Sequence, residues 1–473
     1  MNATATTTST SASLWMRWAH EELGGAGFGD ARLDQRLVST AASFMAAPQA
    51  LIPRASSGWG EAKAIYRFFD NDRVDPEIIY ERHRQSILLR AEGKPVVLAI
   101  ADTTMLDHTR HHETEGLGPL GSLVSSGLIL HPTLVVTPER EPLGVVEAQI
   151  WARDIDEFGH SDATRKERDI TEKESRKWLG SLEAAERFQE ELSSATQVVS
   201  VFDREGDVYE VLATARMDGR QSQILVRAKT DRRLQHPQQK IWEHLGACPV
   251  AAVMTVEVPR KKRQAKRTAE LSIRFASVTV RPPSDRPRST GNLPVPINVV
   301  YAHEDHPPAG ETPISWMLLT TAPVDSAGAA ATIVQWYTCR WQIEILFKVL
   351  KTGCTAEERQ LETVDRLTRC LAIDLVVAWR ILYLTMVGRE TPDLPCTVVF
   401  EDYEWKALYV FVFKSRAAVP ATTPTLGEIT RAIGRLGGHL GRKGDGQPGV
   451  ITMWRGLQRL PDITEMWRVF EEQ

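Results

Sequence analysis

Three carboxylates in this 473-residue chain stand where a cation could be held. Asp102 closes the apolar run VVLAIAD, Asp203 closes VVSVFD, and Glu344 lies far downstream in a segment with helical spacing. An apolar run ending in Asp reads as a buried central strand with an acid at its mouth. Acids gathered closely repel one another unless cations bind among them. Mg²⁺ prefers such hard oxygen ligands and keeps several of its waters. Two such ions about 3.5–4 Å apart stabilise both the attacking and the leaving oxygen of a phosphodiester exchange. Spacing alone supports a generic phosphoryl-transfer centre, because a strand-end Asp serves many reactions.

The segment around Glu344 narrows the reading. At about 100° per residue, Tyr337, Arg340, Glu344, Lys348 and Lys351 fall within a helical sector of roughly 80°. Trp336, Ile343, Phe347 and Leu350 fall in the neighbouring sector, which is expected to face the core. A surface helix with a Glu344–Lys348 pair would account for the charges. It would not account for the phenol among them, or for the two strand-end acids. A place where metal and polyanion meet accounts for all of them, with carboxylate for metal and with cations and phenol for phosphates.

The elements that must position these groups follow from the surrounding texture. Residues 1–13 are polar, lack the basic start and apolar stretch of a secretory signal, and are expected to be a disordered tail. Residues 14–92 carry helical apolar spacing. Residues 93–390 are expected to hold the catalytic domain, with strands at 96–104, 125–138, 143–153 and 196–207 and a helix within 161–192. Residues 223–321 are rich in strands and turns, and residues 328–351 read as one long helix. Further helices are expected at 362–387 and through 391–473.

Bulk properties bound the class. The length predicts two or three domains, and 42% hydrophobic with 25% charged residues is ordinary globular composition. No uninterrupted run of about 18 apolar residues suggests a membrane span. Five cysteines without CxxC spacing argue against a disulfide framework or a zinc site and for a reducing cytosol. A net charge of −4 speaks against a chain coated for nucleic acid, yet residues 260–267 read RKKRQAKR, including Lys261, Lys262 and Arg263. Such a run can match a phosphate backbone, or simply be a solvated loop.

The pattern Tyr337-x2-Arg340-x3-Glu344-x6-Lys351 resembles the Y-R-E-K signature of the DDE transposases of the insertion-sequence-four group, the Tn-five-like members in particular. AIADTTML, EKESRKW, VFDREGD, GETPISWMLLTTAPVDS and YTCRWQIEILFKVLKTGCTAEERQLE resemble that family's blocks in the same order. GDARLDQRL and AIYRFFDN resemble its N-terminal domain, and RLGGHLGRK its C-terminal one. The resemblance implies an α/β, ribonuclease-H-like catalytic core with a β-rich insertion. It implies a helical N-terminal domain that binds transposon ends and a helical C-terminal domain that dimerises.

It further implies Asp102, Asp203 and Glu344 as ligands of Mg²⁺, with Mn²⁺ able to substitute, and Tyr337, Arg340 and Lys351 on phosphates. Trp316 matches a tryptophan that stacks on a flipped base. As a bare sequence feature it reads as a core strand residue. Arg227, Lys348, Trp341, Arg36, Arg67 and the basic run are further candidates for DNA contact. The implied partners are double-stranded transposon-end and target DNA and a second copy of the chain, in the bacterial cytosol and without a membrane. The implied reaction is cut-and-paste transposition through a hairpin. A plain nuclease of the same core would need neither terminal domain, and a retired DNA-binding protein would not need its acids. The stretch DHTRHHETEGLG at 107–118 offers His and Glu together, but it falls in a variable part of the family and is expected to be a solvated loop.

Overall fold

A computed structural model describes residues 13–156, 158, 170–193, 195–236, 238–258, 267–283, 293–442 and 444–471. Its centre is a sheet whose first five strands are β1 (Val96–Ala101), β4 (Ser126–Val136), β5 (Pro142–Trp151), β6 (Gln197–Phe202) and β7 (Gln223–Arg227). Two short strands, β2 (Thr104–Asp107) and β3 (Gly118–Pro119), pair with β4 beyond the end of β1. The five run β5-β4-β1-β6-β7; β4 is antiparallel to β1 and to β5, while β6 and β7 are parallel to β1. Three antiparallel strands followed by two parallel ones on the other side of the first is the ribonuclease-H-like arrangement.

Both faces of β1 are covered, which is why its sequence is continuously apolar rather than alternating. Val97 and Ala99 share a buried cluster with Ala185 and Phe188 of helix α6 (Arg176–Glu191). Leu98 and Ile100 join the large core that contains the 27-residue helix α11 (Val364–Glu390). By length and composition α11 is the one described helix able to cross a membrane, but 89% of its apolar window is buried inside the protein.

The β-rich stretch does not stand apart. Its first strand, β7, pairs in parallel with β6 and so belongs to the core sheet. Strand β11 (Ser315–Thr320) then pairs antiparallel with β7, and β10 (Val295–His303), β9 (Arg267–Val280) and β8 (Ala252–Val258) continue outward. The insertion therefore extends the catalytic sheet from the strand that carries Arg227.

The N-terminal helices α1 (Ser13–Leu23), α2 (Ala31–Ala46), α3 (Ile52–Ala55) and α4 (Trp59–Phe69) bury Trp15, Trp18, Phe44 and Phe69 in the same large core as α11. Helix α5 (Pro76–Ala91) places Ile87 against the sheet. At the other end, α12 (Asp402–Phe413), α13 (Leu426–Leu436) and α14 (Val450–Glu471) form a helical unit on α11. The five cysteines are free thiols, four of them buried.

Candidate active site

The sheet register brings the first two acids together. Ile100 lies opposite Val201 in the parallel pair β1–β6, so the same register carried two residues further sets Asp102 beside Asp203. Phe202 lies opposite Val226, so one step on, Arg227 joins the row. Neighbouring strands are about 4.8 Å apart, which makes these three a line of charge at one sheet end.

The local backbone is braced from below. Asp102 Oδ1 accepts the Thr103 amide at 2.7 Å, and the Thr103 hydroxyl meets His131 Nδ1 at 2.9 Å. His131 is buried edge-on against Trp178, which also packs on Phe202. The conspicuous EKESRKW block thus supplies a ring beneath both strand ends. Sequence reasoning missed His131; its signal was a lone imidazole in the otherwise apolar strand SGLILHPTLVV. Asp203 Oδ1 caps a short turn by accepting the Glu205 amide. A Cβ on Gly206 would lie 2.6 Å from Phe202 Cβ, so that turn needs glycine. Asp207 does not join the acids: its carboxylate binds Arg232 and the amides of Lys229 and Thr230, fixing the chain beyond β7.

The third acid arrives on a helix that is not continuous. Helix α9 (Ala327–Thr338) passes through a tight 3₁₀ turn, Cys339–Trp341, into α10 (Gln342–Lys348), which widens into a π turn, Val349–Gly353. The expected single α-helix is corrected accordingly. Tight and wide turns shift the angular position of every residue beyond them. Tyr337, expected on the functional face, is buried with Ile333, Val334, Ile343 and Leu346, while Trp336 and Phe347 are only partly buried.

Arg340 links the acids. Its Nη1 lies 2.8 Å from Asp102 Oδ2, and its Nη2 donates to Glu344 Oε1. The Glu344 side chain is 56% exposed, Arg340 only 12%. Burial, then the charge of Asp203, pushes Asp102 up to about 6 despite the help of the Thr103 amide and Arg340. Arg340 is bonded to Asp102 and Glu344 but not to Asp203, so the sheet end gathers three acids around a guanidinium that pairs with two of them. Hard oxygen donors with an unmet demand for positive charge fit divalent cations. Among the described residues no group of three or more acids, histidines or cysteines closes into a ready coordination sphere, consistent with Arg340 lying between Asp102 and Glu344.

Residues 15–74 match the family described as Transposase DNA-binding, residues 166–378 the Transposase DDE domain, and residues 376–470 the Transposase Tn5 dimerisation domain. The chain belongs to the Tn5-like DDE transposases. Such enzymes use divalent metals in general, and a DNA-binding and a dimerisation domain imply DNA binding and a homodimer. Among solved structures, a cryo-EM structure of a piggyBac transposase synaptic complex with hairpin DNA covers 83% of this chain and 75% of its own, at 9% identity. Its TM-score of 0.29 is too low to carry any inference.

The other candidate residues of this transposase are distributed unequally. Arg227 and Tyr337 are hydrogen-bonded, and burial raises the phenol and lowers the guanidinium. Trp316 is buried, its ring edge-on to Tyr337 at 5.3 Å, in the manner of a core strand residue. Lys351 Nζ donates to the Met105 carbonyl and lies 3.2 Å from Glu357. Lys348 is exposed and Trp341 half-buried on the same helical segment as Glu344. Arg36 and Arg67 sit on α2 and α4 of the DNA-binding unit, half-buried and exposed respectively. Lys261, Lys262 and Arg263 lie outside the described residues. In the loop at 107–118, Asp107, Arg110, His112, Glu113, Glu115 and Gly116 are exposed as expected, while His108 is fully buried and Glu115 exchanges backbone hydrogen bonds with residues 362 and 364. Those bonds pull the loop onto the chain that follows the catalytic helix.

Proposed function

We propose that this transposase excises and inserts a DNA element by a cut-and-paste route at the sheet end that carries Asp102, Asp203 and Glu344. The observation that carries the reading is the parallel β1–β6 register, which sets two strand-end acids side by side, with Arg340 tying Glu344 to the first of them, Asp102. These three would hold Mg²⁺, with Mn²⁺ as a substitute. When bound there, the ions would polarise the scissile phosphate and lower the pKa of an attacking water. Arg340 and Lys348 would orient phosphates beside the acids, and Lys351, Arg227 and Tyr337 would line the approach. Arg36 and Arg67 would hold DNA further out, and the basic run at 260–267 is a further candidate contact.

The DNA partners are the element's own ends and a target duplex. Water attacks to leave a 3′-hydroxyl, which attacks the opposite strand to form a hairpin; a second water reopens it, and the 3′-hydroxyl joins target DNA. Incubation with the element's terminal inverted repeats and Mg²⁺ tests this, with nicks, hairpins and joined products as the expected species. Nicks alone would favour a plain nuclease, and end binding without products a retired enzyme. The flipped-base role of Trp316 requires its ring to be uncovered from Tyr337. Trp316→Ala should then reduce hairpins more than nicks, whereas equal loss marks a packing residue.

A further inference from the structure

We propose that Arg340 is a built-in counter-cation that competes with divalent metal for Asp102 and Glu344 and leaves them when a DNA phosphate takes it up. This rests on the triad reading above. The guanidinium reaches two separate elements: Nη1 is 2.8 Å from Asp102 Oδ2 at the end of β1, and Nη2 is bonded to Glu344 on α10. Arginine cannot shed its charge by losing a proton. A metal approaching those oxygens must therefore displace a whole cation, not merely compete with protons.

The neighbouring cations are held otherwise. Arg227 donates to the Ser315 carbonyl, and Lys351 to the Met105 carbonyl with Glu357 close by. The forked guanidinium geometry that suits two carboxylates suits a phosphate equally. DNA reaching the sheet end thus offers Arg340 another partner and frees two carboxylate groups at the same moment. By linkage, DNA and metal then each favour binding of the other. The free protein would hold metal weakly and load it on DNA, which confines hydrolytic chemistry to the DNA complex.

The test is Mn²⁺ binding to the full-length protein without DNA, followed by the electron paramagnetic resonance signal of free Mn²⁺ at fixed ionic strength. Arg340→Gln should bind Mn²⁺ about tenfold more tightly than wild type; equal or weaker binding overturns the proposal. Arg340→Lys keeps the charge but cannot fork between two carboxylates. It should also bind more tightly than wild type, by a smaller factor, and carries the test if Arg340→Gln does not fold. Adding a short duplex should tighten Mn²⁺ binding by wild type more than by Arg340→Gln, and an equal gain in both overturns the coupling. Asp102→Asn separates the two levels. If it binds Mn²⁺ as wild type does, the triad reading fails and the proposal with it. If it loses Mn²⁺ while Arg340→Gln is unchanged, only the arginine proposal fails.

Discussion

Around the N-terminal helices, Glu22 and Asp374 each have an arginine of their own; at the proposed catalytic end, one arginine bridges Asp102 and Glu344 and does not reach Asp203. Glu22 is buried against Arg90, at 2.8 and 2.9 Å, and against His83 at 2.5 Å. Burial pushes its carboxyl up, but Arg90 and His83 outweigh that and hold it at about 2. Asp374, fully buried in α11, forms two bonds to Arg359, whose remaining donor reaches the Ala50 carbonyl at 2.7 Å. Burial raises Asp374 as it raises Asp102, which reaches about 6, but of the two only Asp102 has a second carboxylate, Asp203, beside it. The first region is a finished structural joint, and the second, on the proposed function, is a charge imbalance kept for a ligand. Burial also raises Glu147 and Glu404, to about 7, so the grouping of acids at the sheet end, not the upward shift alone, sets Asp102 apart.

Substitutions should separate the two regions cleanly. Asp102→Asn or Glu344→Gln should lower DNA cleavage by about 10³-fold or more while leaving thermal unfolding almost unchanged, as activity assays and calorimetry would read. Asp374→Asn should do the reverse. Leaving Arg359 buried without its carboxylate costs about 3–5 kcal/mol, seen in denaturant melts, with activity per folded molecule retained. Loss of activity without loss of stability at Asp374 would dissolve the distinction.

The pH dependence sharpens it. The folded pKa of Glu22 lies below its ordinary value near 4.5, so its stabilisation is complete above that value and is lost as pH falls toward 2. Glu22→Gln should cost roughly 3 kcal/mol near neutral pH, and the gap from wild type should close between those two pH values. A gap independent of pH would mean that the residue acts by shape alone. The smallest effect is expected at Lys348, exposed beside the triad. Lys348→Ala should weaken binding to any duplex and reduce the salt slope by about one, with no change in unfolding.

The strand ends were legible because a strand buried on both faces must be continuously apolar, so an Asp at its close is conspicuous. The ribonuclease-H-like core came from the family resemblance rather than from those runs, and Glu344 stood out by the residues around it. Other features depend on contacts distant in sequence. The tight turn at 339–341 and the wide turn at 349–353 are set by packing, and helical spacing cannot register them. Tyr337 and Trp316 are ambiguous by type, since an aromatic ring serves a core or a base equally well, and only their mutual contact shows them buried. That β7 belongs to both the core and the insertion is a matter of pairing on its two edges. The loop at 107–118 is largely exposed, as its polar residues suggest; the burial of His108 and the backbone bonds from Glu115 to residues 362 and 364 are what its composition does not show.

The most direct test of the central claim replaces the divalent ion with Fe²⁺ in the presence of ascorbate and peroxide, so that radicals born at the bound ion cut the polypeptide nearby. Cuts grouped around residues 102, 203 and 344, and lost in Asp102→Asn, are the expected result. Cuts that persist in that variant, or that gather instead around His108 and His111, would contradict it.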